Sequence, residues 1–362
     1  MTQLHRLALG VTMTLALAFG FLHLLMPACT YPFERLHVFL FNLVSGGSVI
    51  LAYSSRPKAV TGKVYAYFVV ALGYAVSAFL GAYALTLLLT LPLVVIVESV
   101  RVARFSFLPL QFFRRNVSLP DKFNLASLLC LSTGLTVASF VIVNEEYLHL
   151  LTADKLTLDV FFLGYSFPVS LITMSAMFTF FSHQEGERTG LVEELCFWAV
   201  NLGVIVFFAF ILLELLLAEV AIAVLLFLTV CVIFLLFVRS VPNVQQKNIL
   251  MSGMAFLVCT GLTGIAYLLL YFAPTCAPFG PYALTLHAFV SLYGWNLCGI
   301  FVIVRESDFP LRMSSRYTIL LHWVTVFLLA PLGKTSLPIA MASVSAYVVL
   351  LAIVFLSRGE PR

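Results

Sequence analysis

Long apolar runs separated by short polar breaks occupy almost the whole chain. They read Leu7–Met26, His37–Tyr53, Val64–Phe79, Ala82–Val97, Leu125–Val143 and Leu158–Phe181 in the first half. The second half gives Leu191–Leu213, Leu215–Val238, Ile249–Phe272, Tyr282–Val304, Tyr317–Ala330 and Leu337–Leu356. A helix needs roughly 20 residues to cross hydrocarbon and a tilted strand about half that, so the pattern predicts spanning helices. Two boundaries need a separate argument. Read as one helix, Leu191 to Val238 would measure about 70 Å at ~1.5 Å per residue, more than twice the hydrocarbon thickness. It must fold back, and Glu214 and Glu219 mark the turn. Val64 to Val97 would be about 50 Å long, and here charge decides. Arg56, Lys58 and Lys63 precede it, while Arg101, Arg104, Arg114, Arg115 and Lys122 follow it. Two basic loops belong on the cytoplasmic side, so the chain between them crosses an even number of times, with a turn near Gly81.

The expectation is an all-α polytopic membrane protein of twelve transmembrane helices with both termini cytoplasmic. Only Arg35, Lys155 and Lys334 then fall outside, so seventeen of the twenty Lys and Arg lie inside, while Glu145, Glu146, Asp154 and Asp159 sit in outer loops. This asymmetry fits a multi-pass protein of a plasma membrane, in bacteria the inner membrane. Composition agrees. The chain is 62% hydrophobic and 10% charged, against about 25% charged in soluble domains, so its partner is the lipid bilayer. Residues 1–362 read as one transmembrane domain without a polar linker. Ala28-Cys29 faintly resembles a lipoprotein cleavage site, but the long apolar stretch before it favours an uncleaved first helix. The net charge of +4 follows from topology and points to no nucleic acid.

A short theme recurs at the start of three inward-going runs: Leu36-His37-Val38-Phe39, Leu158-Asp159-Val160-Phe161 and Leu286-His287-Ala288-Phe289. His37, Asp159 and His287 lie 122 and 128 residues apart. A threefold four-helix repeat, with boundaries at 1–122, 123–248 and 249–362, is therefore expected, and membrane repeats commonly place a functional site at their interface. His23, ending the first run, lies at similar depth to His37 and His287. His322 lies deeper, in the eleventh run. His149 and His183 fall in loops, and His5 falls at the N-terminus.

Twelve helices in three groups of four, with histidines opening the second and tenth, resemble the catalytic subunit of haem–copper oxidases and its oxidase-like relatives. "LHAFVSLYGWNLCGIF" is likewise similar to the His-then-Gly-Trp pattern of those relatives. The resemblance implies that His37 and His287 hold a low-spin haem b from opposite faces, with His23 as an alternative ligand. It implies an electron-transfer or redox- or gas-sensing role, with quinol or respiratory-chain subunits as partners. The departures are equally specific. Where the family carries H-x-H, this chain has His287 and Phe289; the sixth and seventh runs hold no histidine for copper, and the sixth holds no glutamate for protons. Oxygen reduction and proton pumping of the family type are not expected.

Bis-histidine ligation needs neutral imidazoles on neighbouring helices at one depth, each with its second nitrogen hydrogen-bonded, in an apolar pocket. Phe39, Phe41, Phe289, Tyr293 and Trp295 are the aromatic candidates, and Gly46, Gly47, Gly294 and Gly299 would admit a flat ring or another helix. The same residues also read as interfacial histidines and packing glycines. Cys29 and Cys276, in two outer loops, form either a disulfide clamping the histidine-bearing helices or two free thiols. Cys130, Cys196, Cys231, Cys259 and Cys298 lie within runs as packing residues. Arg101 to Phe123 alternates cations and aromatics, as a leaflet-lying or ordinary positive-inside loop does. Mid-span, Asn42, Asn201, Asn296 and His322 are the strongly polar candidates, and no phosphate loop, HExxH, CxxC or nucleophile elbow is present. The competing function is a secondary transporter or flippase for an uncharged or lipidic solute.

Overall fold

The computed structural model describes residues 1–26, 32–55, 60–150, 160–181, 190–242 and 244–359. Every regular element among them is helical. Among the described residues, eleven helices are long and apolar enough to cross a membrane. They are α1 (Gln3–Leu24), α2 (Phe33–Ser54), α3 (Gly62–Phe79), α4 (Tyr83–Arg104) and α5 (Leu119–Leu148), then α7 (Leu191–Leu212), α8 (Leu216–Ser240), α9 (Lys247–Phe272), α10 (Gly280–Val304), α11 (Arg316–Gly333) and α12 (Leu337–Leu356). Between α5 and α7 lies the shorter apolar helix α6 (Leu163–Phe178). Both expected fold-backs are present. Gly81, at φ +72°, turns α3 into α4, and Glu214, at φ 57°, turns α7 into α8. Glycine adopts that left-handed backbone freely, whereas at Glu214 it costs about 1–2 kcal/mol.

Burial sorts the helices into a centre and a surround. In the most apolar window of α2, 89% of residues are buried, and in α10 83%, against 17% in α8. α2, α6 and α10 touch one another pairwise, α1 packs on α2, and α12 packs back on α1. Without water to drive helices together, lipid-embedded helices associate through close contact and interhelical hydrogen bonds. Both occur at the centre. The backbones of Gly134 on α5 and Gly164 on α6 meet directly, and Gly299 of α10 receives the Thr173 side chain of α6. Polar ties then hold α6 on three sides. Tyr74 and Tyr165 hydroxyls are 3.1 Å apart, Ser127 donates to the Pro168 carbonyl at 2.7 Å, and Trp295 Nε1 donates to Ser170 at 2.7 Å.

The three inner helices share a feature that hydropathy does not encode. Each carries a stretch of widened π-helix: Phe39–Gly46 within α2, Val160–Ser166 leading into α6, and Val290–Asn296 within α10. α11 carries another at Val324–Leu329. Widened turns disturb the ordinary backbone ladder and recur at functional sites. One consequence is visible in α10, where the Tyr293 carbonyl accepts a hydrogen bond from His322 Nε2 at 2.5 Å.

Charge closes both ends. At the basic end, Arg6 meets Asp308 through two hydrogen bonds of 2.9 and 2.7 Å, and Arg305 reaches the same carboxylate at 3.2 Å. Arg305 also donates to the carbonyls of Val354 and Ser357, so α1, α10 and α12 are tied together. Arg104 pairs with Asp121, and Lys122 with Glu194. At the other end Lys334 pairs with Glu34. Arg56, Lys58, Asp154, Lys155, Asp159 and His183 lie outside the described residues.

Candidate histidine site

His37 sits in the second turn of α2, whose cap residue Pro32 starts the helix without a side-chain hydrogen bond. Its Nδ1 lies 2.9 Å from the Ala16 carbonyl oxygen on α1 and 2.9 Å from the Tyr293 hydroxyl on α10. A carbonyl can only accept, so Nδ1 carries the proton and donates to Ala16, with the Tyr293 oxygen as a second acceptor. His287 is held in the same way. Its Nδ1–H donates to the Thr260 carbonyl on α9 at 2.9 Å, with Thr263 Oγ1 at 3.5 Å. In a neutral imidazole this leaves Nε2 as a bare lone pair. Among the described residues neither Nε2 has a hydrogen-bond partner.

The two settings also share a glycine. A Cβ at Gly20, one turn beyond Ala16, would stand 3.0 Å from His37 Nδ1, and a Cβ at Gly264, one turn beyond Thr260, would stand 3.1 Å from His287 Cε1. Each imidazole therefore lies in a slot on the preceding helix, made by a carbonyl and by a missing side chain four residues later. Backbone carbonyls that accept from the far ring nitrogen orient metal-binding histidines and fix their tautomer.

The structure brings α2 and α10 together, but it turns the two rings to different faces of α10. The α10 residues that meet His37 are Phe289, with ring centroids 6.5 Å apart, and Tyr293, at 5.4 Å. Phe289 follows His287 by two residues, about 200° around a helix of ~3.6 residues per turn. His287 accordingly faces α9, and no ring contact between the two histidines occurs among the described residues.

Of the expected aromatic lining, Phe41, Phe289 and Tyr293 form one cluster with His37, with Phe41 and Tyr293 4.7 Å apart. Phe39 instead packs on Tyr74 and Tyr165, and Trp295 is occupied with Ser170. The four expected glycines receive neighbouring side chains: Gly46 takes Val169, Gly47 Tyr67, Gly294 Phe256 and Gly299 Thr173. They pack helices. The glycines beside the histidines are Gly20 and Gly264, which hydropathy reading did not single out. Their signal is the spacing to Ala16 and Thr260, visible only once the partner helices are known.

The alternative ligand His23 uses Nε2–H to reach the Lys334 carbonyl at 3.1 Å, and its Nδ1 is enclosed without a partner. His322 is fully buried between Phe256 and Phe301, and its bond to Tyr293 makes it a helix tie. Cys29 lies outside the described residues, and Cys276 forms no disulfide among the described ones. No cluster of three or more His, Cys, Asp or Glu suited to a metal ion occurs among the described residues. Compared with known proteins, the chain matches no family model, no curated protein and no solved structure.

Proposed function

We propose that the chain is a membrane haem-binding protein of oxidase-like architecture, with an electron-transfer or redox- or gas-sensing role. The observation that carries this reading is the duplicated setting of His37 and His287, each with Nδ1–H on a backbone carbonyl and Nε2 bare. An iron ligand needs a bare imidazole nitrogen and an oriented ring, and both histidines offer that combination. His37 and His287 would hold the iron of haem b through Nε2, and Phe41, Phe289 and Tyr293 would supply an apolar flank at His37. Haem supplies a one-electron couple and, where a coordination position stays open, a place for a diatomic ligand. Quinol or a respiratory-chain subunit is the class of electron donor this role requires. Oxygen-reducing chemistry of the oxidase type forms no part of the proposal, because Phe289 stands where a second histidine would be needed.

The finer architecture belongs to the same proposal. Twelve crossings are supported by Lys122 at the start of α5 pairing with Glu194 at the start of α7, which puts two crossings between them. A threefold repeat is supported by the widened turns in α2 and α10 and leading into α6, beside the recurring sequence theme. The end carrying Arg6, Arg104 and Arg305 would be cytoplasmic, with both termini there. The experiment is a reduced-minus-oxidised optical spectrum of protein purified from haem-replete cells. A b-type spectrum that disappears in the double variant His37→Ala/His287→Ala is expected, and a colourless preparation would remove the reading.

One observation favours the second reading, movement of a lipidic solute. A groove of 640 Å³ opens between α5, α6 and α7, lined by Phe112, Phe113, Phe197 and Trp198 at one end and Leu212 at the other. Lipid scrambling by reconstituted protein, unchanged when both histidines are replaced, is the result that reading requires.

A further inference from the structure

We propose that the groove between α5, α6 and α7 is a resident binding site for one anionic phospholipid of the leaflet at the basic end. One acyl chain lies along the groove, and the phosphate sits beside Arg114 and Arg115. The groove starts from two glycines. Because Gly134 and Gly164 bring the α5 and α6 backbones together, no side chain fills the furrow there, and α7 walls it with Trp198, Ile205 and Leu212. Trp198 and Leu212 are fourteen residues apart, about 21 Å at ~1.5 Å per residue. One leaflet of a ~30 Å hydrocarbon core is roughly 15 Å deep, so the groove is long enough for a chain held straight. A water-sized group takes about 30 Å³, so the 640 Å³ groove holds about twenty methylenes. That is one long chain and not two.

The lining takes a chain and refuses a headgroup. Among the described residues no charged side chain lines it, and the donors of Cys130 and Asn201 are committed to the Leu163 and Phe197 carbonyls at 3.0 and 2.8 Å. A phosphate drawn along this wall would lose its water and gain no charged partner, so lipid rests here and does not pass. The headgroup end is marked separately. Phe113 stacks on Trp198 with ring centroids 5.4 Å apart, and interfacial aromatics settle at headgroup depth. Arg114 and Arg115 follow Phe113 directly and are exposed. The other cations of this loop are matched, Arg101 by Glu98, Arg104 by Asp121 and Lys122 by Glu194. Arg114 and Arg115 form no ion pair among the described residues, and a lipid phosphate supplies the missing charge.

The test uses Trp198 as reporter, in full-length protein reconstituted into phosphatidylcholine vesicles. Bromine near the glycerol end of an acyl chain quenches indole fluorescence on contact, and subtracting the Trp198→Phe signal isolates this residue from Trp295 and Trp323. Brominated phosphatidylglycerol is expected to half-quench Trp198 at a mole fraction roughly tenfold or more below that needed with brominated phosphatidylcholine. Arg114→Gln or Arg115→Gln should each cut that preference about fivefold, and the two together should abolish it. Leu202→Phe/Ile205→Phe, at two half-exposed lining positions, should fill the groove and abolish it as well. Equal quenching by the two lipids in wild type would overturn the inference without any variant. A preference that survives the arginine pair or the filling would overturn it too, as would protein-dependent passage of lipid between leaflets that the filling stops. Haem content enters none of these results, so the haem reading stands or falls separately.

Discussion

Gly134→Leu is expected to leave almost no folded monodisperse protein. The backbones of α5 and α6 meet at Gly134 and Gly164, and a Cβ on Gly134 would fall on backbone atoms of α6. Backbone cannot rotate aside as a side chain can. Overpacking of an adjustable core costs about 1–3 kcal/mol, and here the whole helix must retreat, so the loss is set at roughly 3 kcal/mol or more. Separation would also pull on the bonds that α6 makes from Tyr165 to Tyr74 and from Pro168 to Ser127. Size-exclusion profiles and thermal midpoints in detergent check this. A Gly134→Leu variant that matches wild type in both would show that the contact is not needed.

Asp308→Ala is the second large effect. Asp308 is the shared counter-charge of Arg6 and Arg305, whose side chains are 10% and 0% exposed. Removing one partner of a buried ion pair costs about 3–5 kcal/mol. Asp308 itself is 28% exposed, so water replaces part of what is lost and roughly 3 kcal/mol is expected. Burial alone would raise the Asp308 pKa, but the hydrogen bond from Arg6 and the charges of Arg305 and Arg6 outweigh it and hold the group below its ordinary 3.8. A depressed carboxylate contributes stability that is fully present above the ordinary value and is lost as pH falls through the lowered one. The gap between wild type and Asp308→Ala should therefore be constant near neutrality and shrink only below 3.8. A gap that closes already at neutral pH, or is absent throughout, contradicts the assignment.

Much of the bundle was legible in the sequence because lipid imposes a length on each crossing. The turn at Glu214 follows from a run length that no single helix could use, and the turn at Gly81 from the basic loops on both sides of its run. The neighbourhood of α2 and α10 followed from the repeated Leu-His theme and the resemblance it carried. What stayed hidden depends on rotation about helix axes. Apolar runs facing lipid on one side and helices on the other carry little periodic signal, so nothing in "LHAFVSLYG" says that Phe289, and not His287, meets His37. No composition rule marks the π-helical stretches either. Gly46, Gly47, Gly294 and Gly299 looked like room for a cofactor because glycine reads identically whether it admits a ring or a neighbouring side chain. Gly20 and Gly264 gained meaning only from the carbonyls one turn before them.

The central claim is that imidazole Nε2 atoms of His37 and His287 bind iron. Pulsed electron paramagnetic resonance of the purified ferric protein, prepared with isotopically labelled histidine, tests it most directly. The account predicts a hyperfine coupling from labelled imidazole nitrogen that is weakened by His37→Ala and again by His287→Ala. Ferric haem without any labelled-histidine coupling, or with a coupling that neither substitution alters, would contradict it.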